Sequence, residues 1–116
     1  MSNKDIWFSF YINDYLGDTM HLTTEQHGAY FLLLLAYYRN GGPLPADYSR
    51  LAAITRLPLE QFKKHAPILL EFFQEIDGKW KHKRSDREIQ ESAKRKKKAR
   101  NAIKSRWEGN KDDGIN

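Results

Sequence analysis

Residues 23–43, TTEQHGAYFLLLLAYYRNGGP, restrict what this chain can fold into more than any other stretch. Thr23 with Gln26 three positions on forms a capping box, in which the threonine oxygen accepts from a first-turn N–H and the glutamine reaches back to the threonine N–H. Gly41-Gly42 offers a left-handed stop and Pro43 prevents resumption, so the helix is predicted to end near Arg39. Residues 29–38 are apolar almost all round, and such a helix is normally buried on most sides. It is the expected core helix. Gly28 weakens it, and is expected to mark a close approach to another backbone.

The remaining segments arrange themselves around that helix. With 116 residues, 40% of them hydrophobic, the chain can bury one core but not two. WFSFYI at residues 7–12 is rich in aromatics and ends at Asn13-Asp14, which reads as a short strand. Residues 13–21 read as a loop anchored by Tyr15, Leu16 and Met20, with Asp14 and Asp18 as turn residues. A second helix is expected at about residues 47–55, burying Tyr48, Leu51, Ala52 and Ile54. Pro58 and Glu60 announce a third, with a kink or break near Ala66 forced by Pro67. Residues 73–83 are two extended runs around Asp77-Gly78, a hairpin signal, and the N-terminal strand is its expected partner. Ser85-Asp86-Arg87-Glu88 is a second capping box, opening a last helix that can run to Trp107.

Strand, three helices and a hairpin, in that order, match a winged helix-turn-helix domain within a mainly α (α+β) class. The expected division is a winged domain at residues 1–84, a basic C-terminal helix at 85–107 and a flexible tail at 108–116. Charge follows the same division. Residues 1–78 carry six Lys/Arg against nine Asp/Glu, whereas residues 79–107 carry thirteen against three, within a net charge of +5 for the whole chain. Clustered cations gain from displacing the counterions condensed on a nucleic acid, so this asymmetry points to a polyanionic partner.

The residues also resemble a family, the YdaU-like proteins of phages and prophages. The resemblance rests on FYINDYLGDTMHLTTEQHGAYFLLLLAYYRNGGPLP, on LLEFFQEIDGKWKHKRSDREI, and on the run SAKRKKKARNAIKSRW that closes in Arg-Trp. It implies a winged-helix-like fold and a part in phage DNA replication, in the manner of replisome-organiser N-terminal domains. The family brings no catalytic residues to carry over.

The candidate nucleic-acid-binding residues fall in three places. Lys63 and Lys64, beside Gln61 and His65, lie on the third helix, which in winged domains commonly meets a groove. Lys79, Lys81 and Lys83 alternate onto one face of the wing, with Trp80 and His82 inward. Arg84, Arg87, Lys94, Arg95, Lys96, Lys97, Lys98, Arg100, Lys104 and Arg106 follow on the last helix. Each has a plainer reading: edge-strand lysines also block edge-to-edge aggregation, and a charge run can be a solvated tail. No arginine or asparagine stands out as a base reader. Ile103 and Trp107 are too few for a membrane-surface face.

Other classes find less support. Without cysteine there is no disulfide scaffold or thiolate zinc site, and His21 and His27 are not spaced to share a helix face around a metal. Nothing resembles a signal peptide, and the longest apolar run is far shorter than the roughly 20 residues that span a bilayer, so a cytoplasmic location is expected. No nucleophile, phosphate loop or acid–base pair stands at diagnostic spacing; the expectation is a protein without enzymatic activity, metal or cofactor. The expected partner is nucleic acid, DNA ahead of RNA, with replisome proteins and a homodimer as further candidates. The alternatives are a module that recruits a helicase or its loader, and a phage transcriptional regulator.

Overall fold

The computed structural model describes the backbone of residues 9–115 and the side chains of residues 9–107. The chain is mainly helical with a small three-stranded antiparallel sheet. Its elements run α1 (Ile12–Asp18), α2 (Thr24–Asn40), β1 (Leu44–Pro45), α3 (Tyr48–Thr55), α4 (Leu59–Leu69), a 3-10 turn (Leu70–Phe72), β2 (Gln74–Ile76), β3 (Lys79–Lys81) and α5 (Lys83–Ile115).

Helix α2 is the core helix, and its ends are made as the sequence predicts. Thr23 Oγ1 accepts from the Gln26 N–H at 3.2 Å, and Gln26 Oε1 accepts from the Thr23 N–H at 2.9 Å. At the other end Gly41 adopts φ 72°, and the Gly42 N–H reaches the Tyr37 carbonyl. Leu33 and Tyr37 are wholly buried, together with Leu51 from α3 and Phe62 and Leu69 from α4. The apolar girth of α2 is not covered everywhere: Phe31 and Leu35 remain exposed. Gly28 lies on that open side, where an added Cβ would meet nothing within 4 Å, so the expected backbone approach is absent.

The expected N-terminal strand is not formed among the described residues. Trp7 and Phe8 lie outside the described residues, residues 9–11 form no strand, and Ile12 opens a helix where a loop was expected. Tertiary packing decides this, because Tyr15 stacks on Tyr30 of α2 at 6.0 Å and its hydroxyl meets His27 Nδ1 at 3.0 Å. One helical turn later, Thr19 Oγ1 donates to the Tyr15 carbonyl and is buried. Leu16 and Met20 do not anchor this segment; both are exposed.

The hairpin forms with a two-residue turn in which Asp77 and Gly78 take φ 54° and 72°, the left-handed pair that matches strand twist. Its partner is β1, which pairs Leu44 with Trp80 and gives the strand order β1-β3-β2. Two prolines hold residues 43–45 extended as they leave α2, and an edge position tolerates the N–H that proline lacks. Leu44, buried against the core, fixes this short strand.

Pro67 does not break α4. It sits two residues from the end, so its ring sacrifices one bond in the last turn, while buried Phe62, Ala66 and Leu69 hold the helix on the core. Helix α5 begins at Lys83, two residues before the expected capping box, and its backbone runs on through residues 108–115.

Candidate nucleic-acid interface

The root of α5 is set by a buried histidine. His82 precedes the helix, and its Nδ1 accepts from the Ser85 N–H at 3.1 Å, while its carbonyl accepts from the Asp86 N–H at 2.9 Å. His82 therefore serves as the N-cap, a role usually taken by serine or aspartate. Ser85, expected to cap, is instead fully buried with its hydroxyl 2.7 Å from the same ring nitrogen.

Because the Ser85 N–H can only donate, Nδ1 carries the lone pair and the neutral ring bears its proton on Nε2. That Nε2–H donates to the Tyr30 hydroxyl oxygen at 3.0 Å. The backbone N–H of His82 donates to the Tyr37 oxygen at 3.1 Å, and Tyr37 donates in turn to Asp86 Oδ1 at 2.5 Å. Burial pushes the His82 ring down to a pKa of about 4, with Arg84 adding to the effect and Asp86 opposing it. Burial also raises both tyrosines, Tyr37 to about 12 with help from its bond to Asp86.

Arg84 is clamped beside this root. Its guanidinium meets Asp14, lies 3.5 Å from Asp18, and sits 5.7 Å above the Tyr11 ring. Asp14 and Asp18 are thus not turn residues: one helical turn apart on α1, they tie that helix to α5. Their spacing was the signal for the clamp, and it becomes readable only once the segment is known to be helical.

Other basic residues are similarly committed. Lys81 approaches Asp86 at 3.7 Å, Arg95 reaches Glu88 at 3.5 Å and Lys63 reaches Glu60 at 3.4 Å. His65 turns away from the exposed face of α4 toward α2, where Nε2 meets Glu25 at 2.5 Å and Nδ1 accepts from the Gln26 amide at 3.2 Å. Gln61 and Lys64 stay exposed. Lys79 is exposed on β3, whereas Lys83, expected beside it on the wing strand, opens α5.

Beyond Ser92 the helix leaves the body, and every side chain of residues 93–107 is exposed. Lys94, Lys96, Lys97, Lys98, Arg100, Lys104 and Arg106 make no ion pair among the described residues, and neither does Arg87 nearer the root. Successive residues turn by about 100°, so these cations surround the helix rather than forming one stripe. Ile103 and Trp107, one turn apart, remain 53% and 67% exposed among them. The expected continuous surface from residue 79 to residue 106 is consequently divided. Arg84 and Lys81 at the root are neutralised, while the arm, Arg95 apart, carries unpaired charge.

A cavity of about 290 Å³ lies between α1, α2 and the first turns of α5, bordered by Tyr11, Tyr15, Tyr30, Tyr38, His82 and Arg84 among others. Sequence reasoning did not find it, since its walls come from three segments far apart in the chain. Among the described residues no cluster of three or more His, Asp or Glu is placed to hold a metal ion. No helix among them is long and apolar enough to cross a membrane.

Comparison with known proteins decides the family. Residues 6–90 match a family described as proteins of unknown function, DUF1376. The chain belongs to the DUF1376 family. An uncharacterized protein of Escherichia coli K12, YdaU, is similar to it, with 43% identity over 83 residues that make up 72% of this chain. The aligned part is 28% of YdaU, so the chain spans well under a third of that relative's length. No solved structure matched. The DUF1376 match takes in the packed body and ends at residue 90, near the root of the arm.

Proposed function

We propose that this DUF1376 protein is a non-enzymatic nucleic-acid-binding protein of phage or prophage origin that acts in DNA replication, at initiation or in organising the replisome. The observation that carries this reading is the arm of α5, whose seven cations between residues 94 and 106, unpaired among the described residues, stand in solvent around an isolated helix. Like charges along a helix repel one another, and phosphates lying along it would relieve that repulsion while releasing counterions. The order α2-β1-α3-α4-β2-β3, with sheet order β1-β3-β2, supports a winged-helix reading, in which α4 offers Lys64 and the hairpin offers Lys79. DNA is preferred to RNA, and the protein works inside the cytoplasm.

The test is a titration of labelled single- and double-stranded DNA at several salt concentrations. Replacing Lys94, Lys96, Lys97 and Lys98 by glutamine in the full chain is expected to lower the steepness of log K against log salt by about 3 to 4. An unchanged slope contradicts the reading. Substitution is preferable to deletion from residue 85, because Ser85 and Glu88 are buried in the body.

A second reading, a module that recruits a helicase, its loader or another copy of itself, is favoured by the exposed apolar residues Leu16, Met20, Phe31 and Leu35. It predicts a protein partner retained after nuclease treatment and no shift of labelled DNA at low salt. A transcriptional regulator would instead protect a short palindromic site as a symmetric dimer.

A further inference from the structure

The bonds around His82 leave one donor unaccounted for. Tyr30 is 5% exposed, and its oxygen accepts from His82 Nε2–H, as the fixed tautomer requires. Its own O–H hydrogen then has no acceptor among the described residues, although a buried hydroxyl normally finds one. Both Tyr30 and His82 border the 290 Å³ cavity, so the unspent donor stands at its wall. The rings of Tyr11, Tyr15 and Tyr38 border the same space, and the Arg84 guanidinium is held at its edge by Asp14 and Asp18.

Aromatic walls with one oriented donor are what a flat, polar-edged ring requires. The rings exclude water from its faces, and the hydroxyl fixes its orientation through an acceptor on its edge. The volume lies at the lower end of small-molecule sites, enough for one ring system rather than a larger cofactor. Lys83 also borders the cavity and is exposed, in place to meet a phosphate attached to such a ring.

We infer that this cavity is a base-binding site, taking a single unstacked nucleobase with a hydrogen-bond acceptor of the base directed at the Tyr30 hydroxyl. The inference rests on the nucleic-acid reading proposed above and adds a second contact to it. The arm holds the backbone through charge, and the cavity takes one base through shape and a hydrogen bond. Either a base of a polynucleotide strand or a free nucleotide presents this chemistry.

The experiment is an amide and tyrosine-ring NMR titration of the full chain with each of the four nucleoside monophosphates, and separately with a short single-stranded oligonucleotide. Shifts are expected at Tyr11, Tyr30, His82 and Arg84 with at least one monophosphate, at the same residues with the oligonucleotide, and at the arm with the oligonucleotide. Tyr30→Phe should weaken monophosphate binding about fivefold, the worth of one hydrogen bond, while leaving the salt slope of oligonucleotide binding unchanged. Tyr11→Ser, on the exposed rim, should weaken it without touching the buried network, so that loss of folding in the first variant does not decide the matter.

Pocket shifts with monophosphates and none with the strand would assign the site to a free nucleotide and overturn its role in strand binding. Oligonucleotide shifts confined to the arm overturn the base site and leave the nucleic-acid reading standing. No shifts anywhere overturn both.

Discussion

Helices α2 and α5 meet the same difficulty, that an isolated helix is barely stable in water, in opposite ways. Helix α2 has 17 residues, a capping box, a left-handed glycine stop and an apolar surface that the four other helices and the sheet help to cover. Helix α5 has 33 residues and, among the described side chains, is packed at its root, where Ser85, Glu88 and Ile89 meet the body. The first helix is made by what it buries. Residues 93–107 of the other bury nothing of their own, so whatever selects their sequence lies outside the fold. That difference turns the basic run from a compositional curiosity into a candidate surface.

The largest expected effect separates the two directly. Phe62→Ala, which empties a wholly buried site against α2, is expected to cost about 3–5 kcal/mol in thermal or urea unfolding. Ile103→Ala on the arm should change stability by less than about 0.5 kcal/mol. Comparable losses would mean that the arm packs on the body.

The next effect tests the root. The folded His82 ring titrates at about 4, below the value near 6.5 for an exposed histidine, so between these values the unfolded chain takes up a proton that the folded chain refuses. Stability must therefore fall as pH drops through that window, by about 3 kcal/mol in all. Unfolding followed at pH 7, 6, 5 and 4 checks the fall. In His82→Asn, where the asparagine can still cap α5, the part of the slope due to His82 should vanish. A slope unaltered in that variant would place the pH sensitivity elsewhere.

The smallest effect concerns α2 itself. Gly28 has open space where a Cβ would go, so Gly28→Ala should stabilise the chain by about 0.5–1 kcal/mol, read as a rise in melting temperature. Destabilisation would restore the close approach that the glycine suggested.

The sequence disclosed most where local chemistry decides the outcome. The Thr23–Gln26 box, the Gly41 stop and the Asp77-Gly78 turn each act within a few residues, and each forms as read. It disclosed least where distant residues decide. An aromatic run reads as a strand until Tyr15 finds Tyr30, and Leu44-Pro45 is too short to read as a strand at all until Trp80 lies beside it. The capping box at Ser85 was convincing locally, yet His82, buried among Tyr30, Tyr37 and Phe73, takes the cap first. The same limit applies to the candidate site. Charge placed the cations on the arm, but only the fold tells that Arg84, Lys81 and Arg95 already have carboxylate partners.

The central claim is that the arm gains its support from nucleic acid rather than from the body, and hydrogen exchange of the α5 amides tests it most directly. In the free protein the amides of residues 93–107 should exchange far faster than those of α2, and on saturation with DNA they should become protected while α2 changes little. Arm amides already protected in the free protein, or unprotected at saturating DNA, would contradict the account.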